Sequence, residues 1–214
     1  MDAFFRILEL IGTLAFAVSG ANVGVEKRMD IFGVAILGVT TAVGGGVLRD
    51  LVIGVTPPQA FQEPVWLITA LVTSILVFFP FLRRLAAKSR ARLDTLLLVT
   101  DAVGLGIFTV TGITTAMERA GCRSVLLLLF VGMLTGTGGG VLRDVLAGDM
   151  PYIFRKHIYA SASLVGAGVF LLARLLAPEA AAVLLGVGAV VAMRCLAAHY
   201  AWNLPRAASV WQKD

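Results

Sequence analysis

The sequence predicts an all-α integral membrane protein of seven transmembrane helices, arranged as two inverted three-helix repeats followed by a seventh helix. Three observations carry that prediction. Of 214 residues, 58% are apolar and only 14% charged, with a mean hydropathy of +0.91, well outside the range of a soluble domain. The apolar residues gather into seven runs. Finally, Gly44-Gly45-Gly46-Val47-Leu48-Arg49-Asp50 recurs as Gly138-Gly139-Gly140-Val141-Leu142-Arg143-Asp144, seven consecutive identities at an offset of 94.

The runs lie near 4–22, 31–48, 64–82, 95–117, 124–142, 157–177 and 180–198. About 20 apolar residues cross roughly 30 Å of hydrocarbon, so seven spans leave only short loops. The first run contains Ala15-Phe16-Ala17, which resembles a signal-peptidase site. Its amino-terminal flank, however, carries Asp2 and Glu9 against a lone Arg6, which argues against a cleaved signal. The seventh is the weakest: its uncharged stretch runs only from Ala180 to Met193. Arg194 is expected to snorkel to the interface, with a buried or re-entrant segment as the alternative. The resulting organisation is a first repeat with a basic linker over 1–92, a second, inverted repeat over 93–178, the seventh helix over 179–198 and a tail over 199–214.

Lys and Arg orient the chain, because they concentrate on the cytoplasmic side of membrane proteins. With the amino terminus outside, 13 of the 18 fall inside, dominated by Arg83, Arg84, Lys88, Arg90 and Arg92. Arg6, Arg49, Arg119, Arg123 and Arg174 fall outside. The expected topology is an outer amino terminus and a cytoplasmic carboxyl terminus in a bacterial inner membrane.

The duplication extends beyond its core. Gly54 matches Gly148 and Pro57 matches Pro151 at the same offset. At an offset of 92, Glu9 pairs with Asp101, Gly12 with Gly104, Phe16 with Phe108, Gly20 with Gly112 and Glu26 with Glu118. The repeated unit thus holds three spans. Three is odd, so the second copy enters the membrane upside down, an architecture characteristic of transporters and pores.

Three glycines in succession, Gly44 to Gly46 and Gly138 to Gly140, cost about 1 kcal/mol each in helix propensity. Their expected role is a break or hinge that turns backbone carbonyls toward a wet pore; close helix packing is the alternative. Arg49 and Asp50, like Arg143 and Asp144, are neighbours on a helix and so are expected to face apart and find other partners. Depth along the spans matches Glu9 to Arg49 and Asp101 to Arg143, giving two within-repeat ion pairs, one at each mouth. The alternative is that both arginines snorkel to headgroups. Thr41 and Thr135, just before the glycines, are candidate pore lining, or else bond to their own helix backbone.

The formal charge of +5 comes without a basic stripe interleaved with aromatics, so nucleic-acid binding is not expected. Cys122, Cys195, His157 and His199 have no ligand spacing, and no metal site is named. The triple glycines lack the Lys-Ser/Thr of a phosphate-binding loop, and nothing else points to an enzyme or a cofactor.

At the duplicated Gly-Gly-Gly-Val-Leu-Arg-Asp segment, the chain resembles the prokaryotic members of the TRIC (trimeric intracellular cation) channel family, up to about residue 200. The resemblance implies a homotrimer in the lipid bilayer with a pore in every protomer, kinked at the glycine motifs of the second and fifth helices. Gly44, Gly45, Gly46, Arg49 and Asp50 match the first motif, and Gly138, Gly139, Gly140, Arg143 and Asp144 the second. The implied permeants are monovalent cations, K+ or Na+, chiefly potassium. The same bacterial domain is also catalogued as a glycine transporter, which leaves a secondary transporter for a small solute as the alternative.

Overall fold

The computed structural model describes residues 3–81, 90–155 and 158–202. Among them every regular element is a helix: α1 (Ala3–Glu26), α2 (Ile31–Val52), α3 (Gln59–Gln62), α4 (Val65–Phe78), α5 (Arg90–Arg119), α6 (Val125–Leu146), α7 (Tyr152–Arg155), α8 (Ala160–Ala173) and α9 (Glu179–His199). Five of these, α1, α2, α5, α6 and α9, are long and apolar enough to cross a membrane. The seventh run, weakest in the sequence, forms one of the five. The third and sixth runs fall short of expectation, at 14 residues each in α4 and α8. They span about 21 Å at 1.5 Å per residue. The basic linker around Arg83, Arg84 and Lys88 and the tail beyond Trp202 lie outside the described residues.

Local chemistry sets the helix ends. Asp30 opens α2 by accepting from the Gly33 amide at 2.7 Å, which satisfies one of the free N–H groups at a helix start. Gly54 closes it at φ 74°, with the Val55 amide donating to the Asp50 carbonyl at 2.8 Å. The second copy ends α6 the same way: Gly148 takes φ 72° and the Asp149 amide reaches the Asp144 carbonyl at 2.8 Å. A side chain is strained at such φ, which accounts for both glycines.

In the bundle α1 packs against α2, α4 and α5; α2 also meets α4 and α6; α5 meets α6, α8 and α9; and α9 closes on α8. One apolar cluster joins Val110, Ile113, Val131, Phe170 and Val183; another joins Phe16, Leu105, Tyr159 and Val190. The polarity is that of a protein dissolved in lipid. Large apolar residues such as Phe32, Leu126 and Leu176 stand outside, while Glu9, Arg49, Asp50, Asp101, Arg143, Asp144 and Arg194 are all buried.

The glycine motifs lie where α2 crosses α6, and both helices run unbroken through them. Neither helix is interrupted at the glycines, and close packing occupies Gly45 and Gly139 at the crossing. A Cβ on Gly45 would collide with the Thr135 carbonyl, and one on Gly139 with the Thr41 carbonyl. Gly44 faces Leu142 as Gly138 faces Leu48. A second reciprocal set joins α1 to α5, where Phe108 covers Gly12 and Phe16 covers Gly104. In each set, low numbers on one helix meet high numbers on the other, so corresponding helices of the two copies lie antiparallel. Thr41 and Thr135 take the backbone option. Each is fully buried and donates to the carbonyl four residues earlier, Leu37 and Val131, at 2.6 Å.

Candidate functional site

Two chambers flank opposite halves of α1, the first mainly apolar with a few charged and polar groups, the second more polar. The first has a volume of about 40 Å3 and is lined by Glu9, Thr13, Gly46, Arg49, Gln59, Trp66 and Phe108 among others. The second measures about 220 Å3 and is lined by Ser19, Glu26, Asp94, Asp101, Arg143, Tyr152 and Arg194 among others. Glu9 and Glu26 are about 26 Å apart along the helix. Between the chambers Phe16 and Phe108 stack obliquely, with ring centroids 5.2 Å apart.

Each chamber is built around an Arg–Asp unit. Arg49 Nε donates to Asp50 Oδ1 at 2.8 Å, and Arg143 Nε donates to Asp144 Oδ1 at the same distance. The other carboxylate oxygen caps the short helix that follows: Asp50 Oδ2 accepts from the Gln59 amide at 2.7 Å, and Asp144 Oδ2 from the Tyr152 amide at 2.9 Å. The neighbours do satisfy each other, contrary to expectation. Their Cβ atoms diverge, but an arginine stem is long enough to bring Nε back to the adjacent carboxylate, and burial leaves water no share in either charge.

The expected second-copy pair is present. Arg143 Nη1 lies 3.0 Å from Asp101 Oδ1 and donates to Ser19 Oγ at 2.6 Å. Its guanidinium also lies over the Tyr152 ring, 5.1 Å from the centroid. The expected Glu9–Arg49 pair is not formed. Arg49 spends its donors on Asp50 and on Gln59 Oε1 at 3.3 Å. Glu9 lines the same chamber without an ion-pair or hydrogen-bond partner among the described residues. Both arginines are buried rather than snorkelling.

Sequence reasoning missed several groups. Arg194 was expected at the interface, yet it is 4% exposed and enters the second chamber, with Nη2 3.8 Å from Asp101 Oδ2. Its position in a long apolar run was the available signal. Ser19 is an unremarkable small residue in a span, and Gln59 and Trp66 reach the first chamber only because the loop after α2 folds back. Of the glycines, Gly46 lines the first chamber, while Gly45 and Gly139 are packed at the crossing. Among the described residues no group of three or more His, Cys, Asp or Glu is placed to hold a metal.

Buried paired charges and reciprocal helix contacts on an all-helical, lipid-facing frame define a multi-pass membrane protein. The comparisons agree. Residues 6–81 and 98–174 match the family described as glycine transporter. A membrane protein of Deinococcus radiodurans is 44% identical over 78% of this chain and 75% of its own length. The inner membrane protein YadS of Escherichia coli is 40% identical over 74% and 73%. Among solved structures, the TRIC channel orthologue from Rhodobacter sphaeroides matches with a TM-score of 0.84 and 37% identity, over 94% of this chain and all of that one. A second TRIC cation channel gives 0.82 and 36%, over 96% and 98%. The chain belongs to the prokaryotic TRIC channel family, whose duplicated domain carries the glycine-transporter description.

Proposed function

We propose that the chain is a channel for monovalent cations, chiefly potassium, with a pore in each protomer of a homotrimer. The observation that carries this reading is the placement along α1 of two chambers that each hold buried charged side chains, with the Phe16–Phe108 contact lying between them. The arginines that would repel a cation are each bound to a buried carboxylate. Glu9 adds to the first chamber a carboxyl group that makes no ion-pair contact among the described residues, and carboxyl oxygens are ligands suited to cations. Structural neighbours that are TRIC cation channels support the reading. The reciprocal contacts of α1 with α5 and of α2 with α6 support inverted three-helix repeats, since a twofold axis in the membrane plane exchanges each contact with its counterpart. In this reading α4 and α8 complete seven spans, the amino terminus lies outside, and the glycine crossing is the point about which the pore-lining helices bend.

A second reading, a secondary transporter for a small zwitterion such as glycine, draws on the first chamber. There the Glu9 carboxyl group shares a small space with two N–H groups that have no hydrogen-bond partner among the described residues, Gln59 Nε2 and Trp66 Nε1. Purified protein separates the readings. In planar bilayers with potassium chloride, the channel gives discrete current steps. Saturable uptake of labelled glycine without steps identifies the carrier, and neither result leaves a non-conducting scaffold.

A further inference from the structure

A third cavity lies apart from both chambers, at the end of the bundle where α5 finishes, α6 begins and α8 finishes. It is an open groove of about 520 Å3, walled by Met117, Leu128, Leu171 and Leu172 and carrying Arg123 and Arg174. Gly168 gives it depth, because a Cβ there would meet nothing within 4 Å. Gly168 precedes Arg174, the residue that closes α8, by six positions, so the groove runs about 9 Å along the helix from its charged rim.

The charged groups at this end are few. Arg123 is exposed and has no hydrogen-bond or ion-pair partner among the described residues. Arg174 donates to Met117 Sδ at 2.8 Å, and its Nη2 stands 3.6 Å from Glu179 Oε1, beyond hydrogen-bond distance. Glu118 and Arg119, at the end of α5, are exposed and opposite in sign. Glu179 therefore opposes Arg174, and Arg123 is left without a counter-charge. The arginines are not a legacy of the duplication. Arg123 precedes the cap of α6 as Met29 precedes that of α2, and Arg174 closes α8 as Phe79 closes α4.

We propose that this groove seats an anionic phospholipid, with an acyl chain against Leu128, Gly168 and Leu171 and the phosphate at Arg123 and Arg174. The order of groups along the bundle is that of a lipid: guanidiniums at the helix ends, then an apolar trough. Guanidinium forks suit phosphate oxygens, and basic pockets between membrane helices hold anionic headgroups. A second copy of the chain fits less well, since covering the groove with protein would bury Arg123 without a partner. The inference is independent of whether the chain conducts.

The test is native mass spectrometry of the full chain in detergent, titrated with phosphatidylglycerol, phosphatidylcholine or inorganic phosphate. Phosphatidylglycerol should bind several-fold more tightly than phosphatidylcholine, and inorganic phosphate at the same concentration should neither bind nor compete. Arg123→Gln with Arg174→Gln should weaken phosphatidylglycerol about tenfold or more, the loss expected for charge-assisted hydrogen bonds. Gly168→Leu fills the trough and should weaken it comparably with both arginines in place. Gly188→Leu is the matched control, since a Cβ on Gly188 also meets open space, on α9 away from the groove, and binding there should match wild type. If the double arginine variant does not fold, Arg123→Gln decides, because that side chain is exposed. Equal binding of the two lipids, competition by inorganic phosphate, or unchanged phosphatidylglycerol binding in the arginine or Gly168 variants overturns the proposal. A Gly168→Leu variant that alters the oligomer's mass and keeps its lipid would instead make the groove a contact between copies, which overturns it too.

Discussion

Arg143 ties the two copies together, donating to Ser19 of the first copy at 2.6 Å while lying 3.0 Å from Asp101 of the second. The corresponding arginine, Arg49, makes no contact of this kind with Glu9 and turns instead to Asp50 and Gln59. The two carboxylates that the duplication aligns are therefore under different obligations. Asp101 touches two buried guanidiniums, whereas Glu9 shares its chamber with Arg49 without touching it.

This difference predicts unequal costs of neutralisation. Asp101→Asn leaves Arg143 and Arg194 buried with Asp144 as their remaining counter-charge, and breaking a buried pair from one side costs about 3–5 kcal/mol. Glu9→Gln changes a buried carboxyl group that makes no ion-pair contact among the described residues and should shift stability several-fold less. Denaturant unfolding in detergent micelles measures both. Equal losses would mean that Glu9 is paired after all.

The glycine crossing predicts a second contrast. Gly45→Ala and Gly139→Ala each press a methyl group into a backbone carbonyl of the opposite helix, which cannot move aside as a side-chain tip can. Overpacking of this kind costs about 1–3 kcal/mol. Gly46→Ala adds its methyl with Arg49 Nη2, at 3.8 Å, as the nearest neighbour. It should be neutral or should stabilise by up to about 1 kcal/mol through helix propensity. Thermal unfolding of the three variants in one detergent checks the order.

Much of this frame was legible in the sequence, and the reasons are physical. Long apolar runs and a seven-residue identity are properties of the chain alone, so the helices and their duplication could be read directly. Pairing Asp101 with Arg143 needed only depth along a helix. The same argument failed for Glu9 and Arg49, because Gln59, brought back by the loop after α2, takes the donor that Glu9 was expected to take. The glycines were ambiguous in the sequence, because a triple glycine weakens an isolated helix yet suits a helix whose neighbour's backbone lies against it. Arg194 was placed at the interface because no local pattern reveals that Asp101 and Tyr159 await it in the interior.

Opposed insertion of the copies predicts opposite sidedness for equivalent loops. Thr56, after α2, and Met150, after α6, are both exposed. In a background with Cys122 and Cys195 replaced by serine, a membrane-impermeant maleimide should reach Met150→Cys only from the cytoplasm. Thr56→Cys should react only from outside. Labelling of both from one side would remove the inverted arrangement, and with it the reason for placing one chamber at each mouth.

The Phe16–Phe108 contact predicts where the path is narrowest. Phe16 is 1% exposed and seats on Gly104, so trimming it would open a core cavity and unsettle the bundle. Phe108 is half-buried and its ring faces the first chamber, so it is the safer ring to change. Phe108→Ala removes one of the two rings that meet between the chambers and should raise unitary potassium current. Phe108→Trp adds bulk at the same point and should lower it. Circular dichroism and size-exclusion profiles matching wild type establish that each variant is folded. A graded order of alanine above phenylalanine above tryptophan places the rings on the ion path. Equal currents across the folded series would mean that ions cross between the chambers elsewhere, and the contact would then be packing alone.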